Sequence, residues 1–598
     1  MSNSRRFSGA SASKSSLLLP SERASNSREG FNSVGGPGRS NSLNGSIRSV
    51  ARSIGNEGGS IAEKYSLGPE PALWGMNLSV REEDDALHDP RMDTGNGRSV
   101  SSRALANVGC LILLVVGVLG LFAGYPIISH FLRKDEQTNQ GGFNLGGINS
   151  TGQIPSFTGK VSLIDPDTPK EAMTIPGYLD PTQTFQLVFS DEFNADGRSF
   201  YPGDDPFWEA VDLHYWGTVD LEWYDPKQAT TGNGSLLLRI DKVDDPADNH
   251  NLTYRSGMIQ SWNKFCFTGG ILEASVTLPG SSIISGLWPA LWAMGNLGRA
   301  GYGASLDGLW PYSYDSCDVG TLANQTFPGT ETPLAATVNG DGSHGGALSF
   351  LPGQRLSACT CPGESHPGPV RQDGTLVGRA APEIDVYEAI VDTGIGQASL
   401  SAQWAPFNAA YEFNNATGNV VFQDDGTTIH NTFVGGAFQQ TTSGLATTNQ
   451  DCYEQNSGCF TKYAFEYKTG FDDGYISWVQ DAKLSWTLRG PAMGPDTATE
   501  ISTRPIPQEP MYIIANLGLS LGFGVVDFQN LIFPATMSVD YIRVYQPSDA
   551  INIGCDPRDF PTTDYINTYI EAYTNPNLTT WVDDFNQTIP KNRLTDTC

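Results

Sequence analysis

The hydrophobic and polar positions divide the chain into three parts. Residues 1–103 have no sustained apolar periodicity, residues 108–128 form one continuous apolar run, and short segments after about residue 185 alternate apolar and polar side chains. Alternation with a period of two predicts β-strands, because successive side chains of a strand point to opposite faces. Many short strands separated by Gly and Pro turns predict an all-β sandwich or barrel. Examples of such strands are FQLVFSDEF, GSLLLRIDK, GGILEASVTLP and MSVDYIRVYQ.

The apolar run is long enough to cross a membrane. No Asp, Glu, Lys or Arg lies between Arg103 and Arg133, and a spanning helix needs ~20 predominantly apolar residues. A buried core helix is the alternative. We expect a transmembrane signal-anchor helix at 104–130, preceded by a disordered cytosolic tail at 1–103 and followed by a Gly- and Pro-punctuated stem at 131–180.

Charge and cysteine positions indicate on which side of the membrane each part lies. The formal net charge is −29, of which residues 1–103 contribute +2 and the rest −31. This acidity excludes a general nucleic-acid binder. Eight of the nine cysteines follow the apolar run, and an even number in one compartment suits an oxidising lumen. We therefore expect a single-pass type II membrane protein of the secretory pathway (endoplasmic reticulum, Golgi or plasma membrane), with its bulk luminal or extracellular.

The luminal part carries candidate modification sites. Asn-X-Ser/Thr sequences that suit N-glycosylation follow the apolar run at Asn149, Asn233, Asn251, Asn324, Asn415, Asn577 and Asn586. Cys452 and Cys459 enclose a short turn-like segment, YEQNSG, so we expect them to form a disulfide. Cys555 and Cys598 are expected to tie the C-terminal extension, 551–598, to itself or to the sandwich.

The segment between residues 298 and 380 is rich in Gly and Pro and has little periodicity. Unstructured stretches of this length are unusual in a compact domain, so we interpret it as a functional insertion held by disulfides within a folded domain at 181–550. The Cys359-Thr-Cys361 pair favours two separate disulfides over a metal site. The histidines show no zinc-binding spacing. The sequence predicts no cofactor and leaves a structural calcium ion open.

A cluster of acidic residues in the segment PEIDVYEA carries the candidate chemistry. On a strand Glu383 and Asp385 share a face, whereas Glu388 falls on the opposite face unless a β-bulge adds one residue. Three neighbouring carboxylates repel one another, which would hold a proton on one of them at neutral pH, as acid catalysis requires. An acidic, solvated strand face is the alternative interpretation.

The motif E-I-D-x-x-E resembles the active-site motif of the family 16 glycoside hydrolases in its bulged, laminarinase-like form. The segment GLWPALWAM, residues 286–294, is similar to the Trp-Pro-Ala-x-Trp glucan-binding segment of that family, and the strand VDYIRVYQ also matches. More narrowly, HYWGTVDLEWYDP (214–226), the long insertion and the C-terminal segment 555–581 resemble the fungal β-glucan synthesis-associated proteins. The resemblance covers about residues 180–598, and the insertion is a departure from ordinary family 16 hydrolases.

The resemblance implies a jelly-roll (concanavalin-like) sandwich and a retaining double displacement. Glu383 would be the nucleophile and Glu388 the general acid/base, with Asp385 between them tuning the charge of Glu383. Trp288 and Trp292 would stack on glucose rings, or else lie in the core. Trp404 and Asn516 fall where the family places groove residues.

The implied function is that of a membrane-anchored glycosidase or transglycosidase acting on β-glucan in cell-wall β-1,6-glucan biosynthesis, with β-glucan and the glucan-synthesis machinery as partners. A non-catalytic glucan-binding scaffold or assembly factor is the alternative from another class. A plain β-1,3-glucan hydrolase is a second alternative. The clustered acids favour an enzyme, because a lectin has no need of them.

Overall fold

The computed structural model describes residues 102–120, 122, 162–423 and 426–598. Helix α1 (Ser102–Leu119) begins before the apolar run and continues into it. In the described ranges, no helix is both long and apolar enough to cross a membrane. The cytosolic tail, most of the stem and the end of the predicted 104–130 span lie outside the described residues, so these predictions stay predictions.

From residue 162 onward the described chain forms two large sheets, whose strands we number in chain order. The first sheet has the spatial order β13 (Val420–Phe422), β19 (Lys483–Arg489), β18 (Tyr475–Gln480), β17 (Thr461–Lys468), β9 (Gly270–Thr277), β21 (Ala535–Pro547), β6 (Ser235–Lys242), β7 (Tyr254–Ser256) and β4 (Glu222–Tyr224). Three further strands join it: β2 (Thr184–Asp191) beside β21, β1 (Thr174–Pro176) beside β2, and β5 (Ala229–Gly232) beside β6.

The second sheet carries the candidate chemistry. Its order is β14 (Thr428–His430), β16 (Gln439–Thr447), β12 (Ile395–Trp404), β11 (Glu383–Asp392), β10 (Leu287–Gly295), β20 (Met511–Leu519), β8 (Met258–Gln260) and β3 (Glu209–Ala210), with β15 (Gly435–Gly436) beside β16. Neighbouring strands of this sheet pair antiparallel. Strand β11 lies between β10 and β12.

The two sheets pack face to face over one apolar core. Alternating residues of the second sheet, such as Leu291, Ile384 and Leu400, are buried in the same cluster as Leu272 and Phe465 of the first sheet. Burial of one face of each sheet is the main favourable contribution to the fold. The predicted all-β sandwich is confirmed.

The other face of the second sheet is covered over part of its length by the insertion and the C-terminal extension. The insertion holds one short α-helix, α2 (Gly303–Leu306), and the extension holds α3 (Thr563–Thr568) and α4 (Ile570–Thr574). Side chains from these segments form a second apolar cluster with Trp292 and Met294 of β10. Tyr302 and Trp310 of the insertion and Trp581 of the extension belong to it.

Four disulfides link these parts. They join Cys266 to Cys555, Cys317 to Cys359, Cys361 to Cys598, and Cys452 to Cys459. The Cys452–Cys459 pair closes the short turn-like segment. Cys555 ties the extension to the sandwich, which is one of the two expected arrangements. Cys598 also ties the extension to the folded domain at 181–550, through Cys361 of the insertion.

Candidate active site

A β-bulge brings three carboxylates of β11 onto one face of the second sheet. Glu383 pairs with Gln403 and Asp385 with Ser401, and the register then shifts so that Glu388 pairs with Ser399. In a regular strand Glu388 would point into the sandwich core. The extra residue turns it back to the side of Glu383.

Hydrogen bonds connect the three carboxylates into one network. Asp385 Oδ2 accepts from Ser401 Oγ at 2.8 Å and from Gln403 Nε2 at 3.1 Å. The Ser401 hydroxyl also lies 3.4 Å from Glu388 Oε2, and Asp385 is hydrogen-bonded to Glu383. Both Ser401 and Gln403 lie on β12, so the antiparallel pairing of β11 with β12 assembles the network.

Tryptophan N–H groups hold the two outer carboxylates. Trp310 Nε1 donates to Glu383 Oε2 at 2.5 Å, and Trp288 Nε1 donates to Glu388 Oε1 at 3.2 Å. Donation from an indole N–H favours the ionised form of a carboxylate and fixes its orientation. Phe523 stacks on Trp288 with ring centroids 4.2 Å apart, which limits the movement of that indole.

The three carboxylates line one cavity, which we call the catalytic cavity. The empty space along its walls, including the part open to solvent, is about 660 Å³. Besides the carboxylates, its walls include Tyr215, Thr218, Asp220, Tyr224, Met258, Trp288, Ala290, Trp292, Trp310, Gln403, Gln439 and Asn516. Aromatic side chains beside carboxylates suit a carbohydrate, whose C–H faces pack on rings while its hydroxyls bond to polar groups.

Burial and mutual repulsion hold protons on the carboxylate cluster. Burial, followed by the charges of Asp385 and Glu388, raises the pKa of Glu383 well above its usual value. Burial and the charge of Asp385 do the same to the pKa of Glu388. Burial raises the pKa of Asp385 to about 6. At neutral pH the cluster therefore keeps a proton, which acid catalysis requires. The Trp310 hydrogen bond acts in the opposite direction on the pKa of Glu383 and favours its ionised form.

A second buried acidic pair, Asp220 and Glu222, was not predicted from the sequence. Asp220 lines the cavity and is hydrogen-bonded to Glu222. Burial raises the pKa of Asp220 to about 6, and burial together with the Asp220 charge raises the pKa of Glu222 well above its usual value. Glu222 Oε2 accepts from Leu519 N at 3.1 Å. The sequence signal for this pair was the two-residue spacing of the acids in the segment VDLEWY, which places both on one face of a strand.

The structure brings together most of the predicted site residues. Trp288, Trp292 and Asn516 line the catalytic cavity, and Trp292 Nε1 donates to Asn516 Oδ1 at 2.8 Å. The prediction for Trp404 is wrong: its side chain is buried in the sandwich core and donates to Thr442 Oγ1. Because faces alternate along β12, its neighbour Gln403 occupies the cavity wall instead.

Trp310 and Tyr215 are cavity residues that sequence reasoning missed. Trp310 lies in the insertion, where no periodicity marks a functional position. Tyr215 lies in the segment HYWGT, which was noted only for its resemblance.

The predicted glycosylation sites have exposed side chains wherever they are described. Exposed positions are Asn233, Asn251, Asn324, Asn415, Asn577 and Asn586, and Asn149 lies outside the described residues. Among the described residues, no group of three or more His, Cys, Asp or Glu side chains could hold a metal ion.

Comparisons with known proteins agree with the residues that carry the resemblance. A family model described as "Beta-glucan synthesis-associated protein SKN1/KRE6/Sbg1" matches residues 74–598. The beta-glucan synthesis-associated protein KRE6 of Saccharomyces cerevisiae is 44% identical over 88% of this chain and 70% of its own length. The protein SKN1 of Candida albicans is 41% identical over 88% of this chain and 68% of its own length.

Solved structures were compared as well. The catalytic domain of an endo-1,3-beta-glucanase (laminarinase) from Thermotoga petrophila RKU-1 aligns with 61% of this chain and 99% of its own. The alignment has 19% identity and a TM-score of 0.35.

Proposed function

The chain belongs to the SKN1/KRE6/Sbg1 family of beta-glucan synthesis-associated proteins, and we propose that it is a retaining glycosidase or transglycosidase acting on β-glucan in cell-wall β-1,6-glucan formation. The observation that carries the proposal is the presence of Glu383, Asp385 and Glu388 on one face of β11, in a cavity walled by tryptophans. The names of the relatives support β-glucan synthesis as the process.

In the first step, a Glu383 carboxylate oxygen bonds to the anomeric carbon of a glucosyl unit. The bond from that carbon to the glycosidic oxygen breaks, and the departing oxygen takes the proton of Glu388. The Trp310 N–H orients the Glu383 carboxylate for attack. The raised pKa of Glu388 keeps the required proton in place at neutral pH.

In the second step, Glu388 acts as a base. It takes a proton from water or from a sugar hydroxyl, whose oxygen bonds to the anomeric carbon as the ester bond to Glu383 breaks. Water as the acceptor gives hydrolysis, and a sugar hydroxyl gives transglycosylation. Asp385 shares a hydrogen bond with Glu383, so it tunes the charge on the nucleophile through both steps.

The proposal includes the cellular setting. We propose a type II membrane protein of the secretory pathway, in which the described sandwich faces the lumen and works beside the glucan-synthesis machinery. Protease added to sealed microsomes should then remove only residues before about residue 104. Protection of the N-terminal tail would refute this orientation.

The catalytic assignment is tested by Glu383→Gln and Glu388→Gln, with the exposed Glu331→Gln as a matched control. Each active-site change should abolish transfer and hydrolysis of β-glucan oligomers. With an activated donor whose leaving group needs no proton, the Glu388 variant should still form a covalent glycosyl-enzyme, and azide should partly restore its turnover. The Glu383 variant should form no covalent glycosyl-enzyme.

The scaffold alternative predicts a different result. If both variants support normal wall glucan in cells and bind β-glucan oligomers as the wild type does, the protein acts as a glucan-binding assembly factor. The catalytic proposal then fails.

A further inference from the structure

A second cavity, which we call the side cavity, adjoins the catalytic cavity. The empty space along its walls, including the part open to solvent, is about 590 Å³. Aromatic and aliphatic side chains dominate its lining, among them Tyr215, Trp216, Trp310, Leu351 and Phe438. Its charged residue is Asp307. Most of the lining comes from the insertion, the segment that departs from ordinary family 16 hydrolases.

The two cavities meet at two shared residues. Tyr215 and Trp310 line both, and the Trp310 indole reaches Glu383 by its N–H. Phe438 of the side cavity is followed directly by Gln439, which lines the catalytic cavity. A ligand seated in the side cavity therefore lies next to the proposed nucleophile.

We propose that the side cavity binds a glucosyl residue of the acceptor glucan chain. This inference rests on the proposed function and deepens it by naming where the acceptor binds. Rings of Trp216, Trp310 and Phe438 supply apolar surfaces for the C–H faces of glucose. The Asp307 carboxylate supplies hydrogen-bond acceptors for sugar hydroxyls, since a carboxylate can accept several hydrogen bonds.

The chemistry of the cavity favours a neutral sugar over an anionic lipid. Asp307 would repel a phosphate headgroup, and the chain after residue 103 carries a net charge of −31. When an acceptor hydroxyl reaches the glycosyl-enzyme, it gives its proton to Glu388, and its oxygen bonds to the anomeric carbon as the ester bond to Glu383 breaks. Apolar walls around this position disfavour water as the competing acceptor.

The C-terminal extension holds the floor of the side cavity in place. The Asp307 carboxylate accepts a hydrogen bond from Trp581 N at 2.8 Å, and Ala304 N donates to Leu578 O at 3.0 Å. The Arg355 guanidinium lies 3.7 Å from the ring centroid of Trp581. A preformed site of this kind loses little conformational freedom when it binds a sugar.

The test uses Trp216→Ala in the full chain, because Trp216 lines the side cavity and not the catalytic cavity. Trp223→Ala is the matched control: Trp223 is also half-buried and in the same segment, but it stacks on His250 away from both cavities. The first measurement is the ratio of transfer to hydrolysis products formed from laminaripentaose. The second is calorimetric binding of laminaripentaose to the same variants carrying Glu383→Gln.

We expect Trp216→Ala to lower the transfer-to-hydrolysis ratio and the affinity by on the order of tenfold, a typical loss for a buried aromatic contact. Trp216→Phe should retain most of the transfer-to-hydrolysis ratio and most of the affinity. Trp223→Ala should change neither quantity. An unchanged ratio and affinity in Trp216→Ala would overturn the acceptor site while leaving the proposed function intact. Occupation of the side cavity by a fatty acid, with no binding of laminaripentaose there, would also overturn the acceptor site. If the wild type neither cleaves nor transfers glucan, the proposed function fails, and the acceptor site fails with it.

Discussion

Replacing Asp385 with Asn should make the fold more stable at neutral pH while it impairs catalysis. Asp385 is buried, with 1% of its surface exposed, and burial raises its pKa from 3.8 to about 6. Its ionised form is therefore disfavoured in the folded protein relative to the unfolded chain. Asn keeps the shape and can still accept from Ser401 and Gln403, so few packing contacts are lost.

The magnitude follows from the pKa shift. A carboxyl whose pKa is raised on folding costs no stability below its unfolded pKa, and the cost grows as the pH rises through the folded value. For a shift of about two units the cost is less than about 1 kcal/mol near pH 4 and about 3 kcal/mol near pH 8. Asp385→Asn removes this cost, so its advantage over the wild type should grow by about 2–3 kcal/mol across that range.

Urea unfolding of the full chain at both pH values measures this difference. The exposed Asp549→Asn is the control, and its effect should not depend on pH in this way. Turnover of β-glucan oligomers should fall in Asp385→Asn, because the charge that tunes Glu383 is gone. If the variant gained no stability between pH 4 and pH 8, or lost stability, the site would not hold Asp385 at a raised pKa and the reasoning would be wrong.

Two further predictions concern contacts of the site and its supports. Trp288→Phe removes the N–H that favours ionised Glu388, so the pKa of Glu388 should rise further and the alkaline limb of the kcat/KM profile should move to higher pH. Arg379→Met leaves the buried Glu509 without its ion-pair partner at 2.9 Å, and urea unfolding should show a loss of about 3–5 kcal/mol. Adding Glu509→Gln should restore most of that stability, and no restoration would mean that the loss came from packing.

Some features of this protein can be predicted from the sequence because they depend on local patterns. Period-two alternation predicts the strands and their buried faces. The spacing of Glu383, Asp385 and Glu388 is compatible with a bulge, because one extra residue would place all three on one side of a strand. The resemblance to a bulged active-site motif favours that arrangement. The short segment between Cys452 and Cys459 brings these two thiols close without help from the rest of the chain.

Other features depend on contacts between distant segments, which local periodicity does not encode. Trp310 lies 73 residues before Glu383 and reaches it only because the insertion folds over β11. Cys598 meets Cys361 because the extension packs on that insertion. The choice between Trp404 and Gln403 at the cavity wall depends on the register of β12 against β11, since a shift of one residue reverses which face each side chain occupies. Only tertiary packing determines where these side chains lie. The free energy that selects their positions comes from the burial of surfaces that are far apart in the chain.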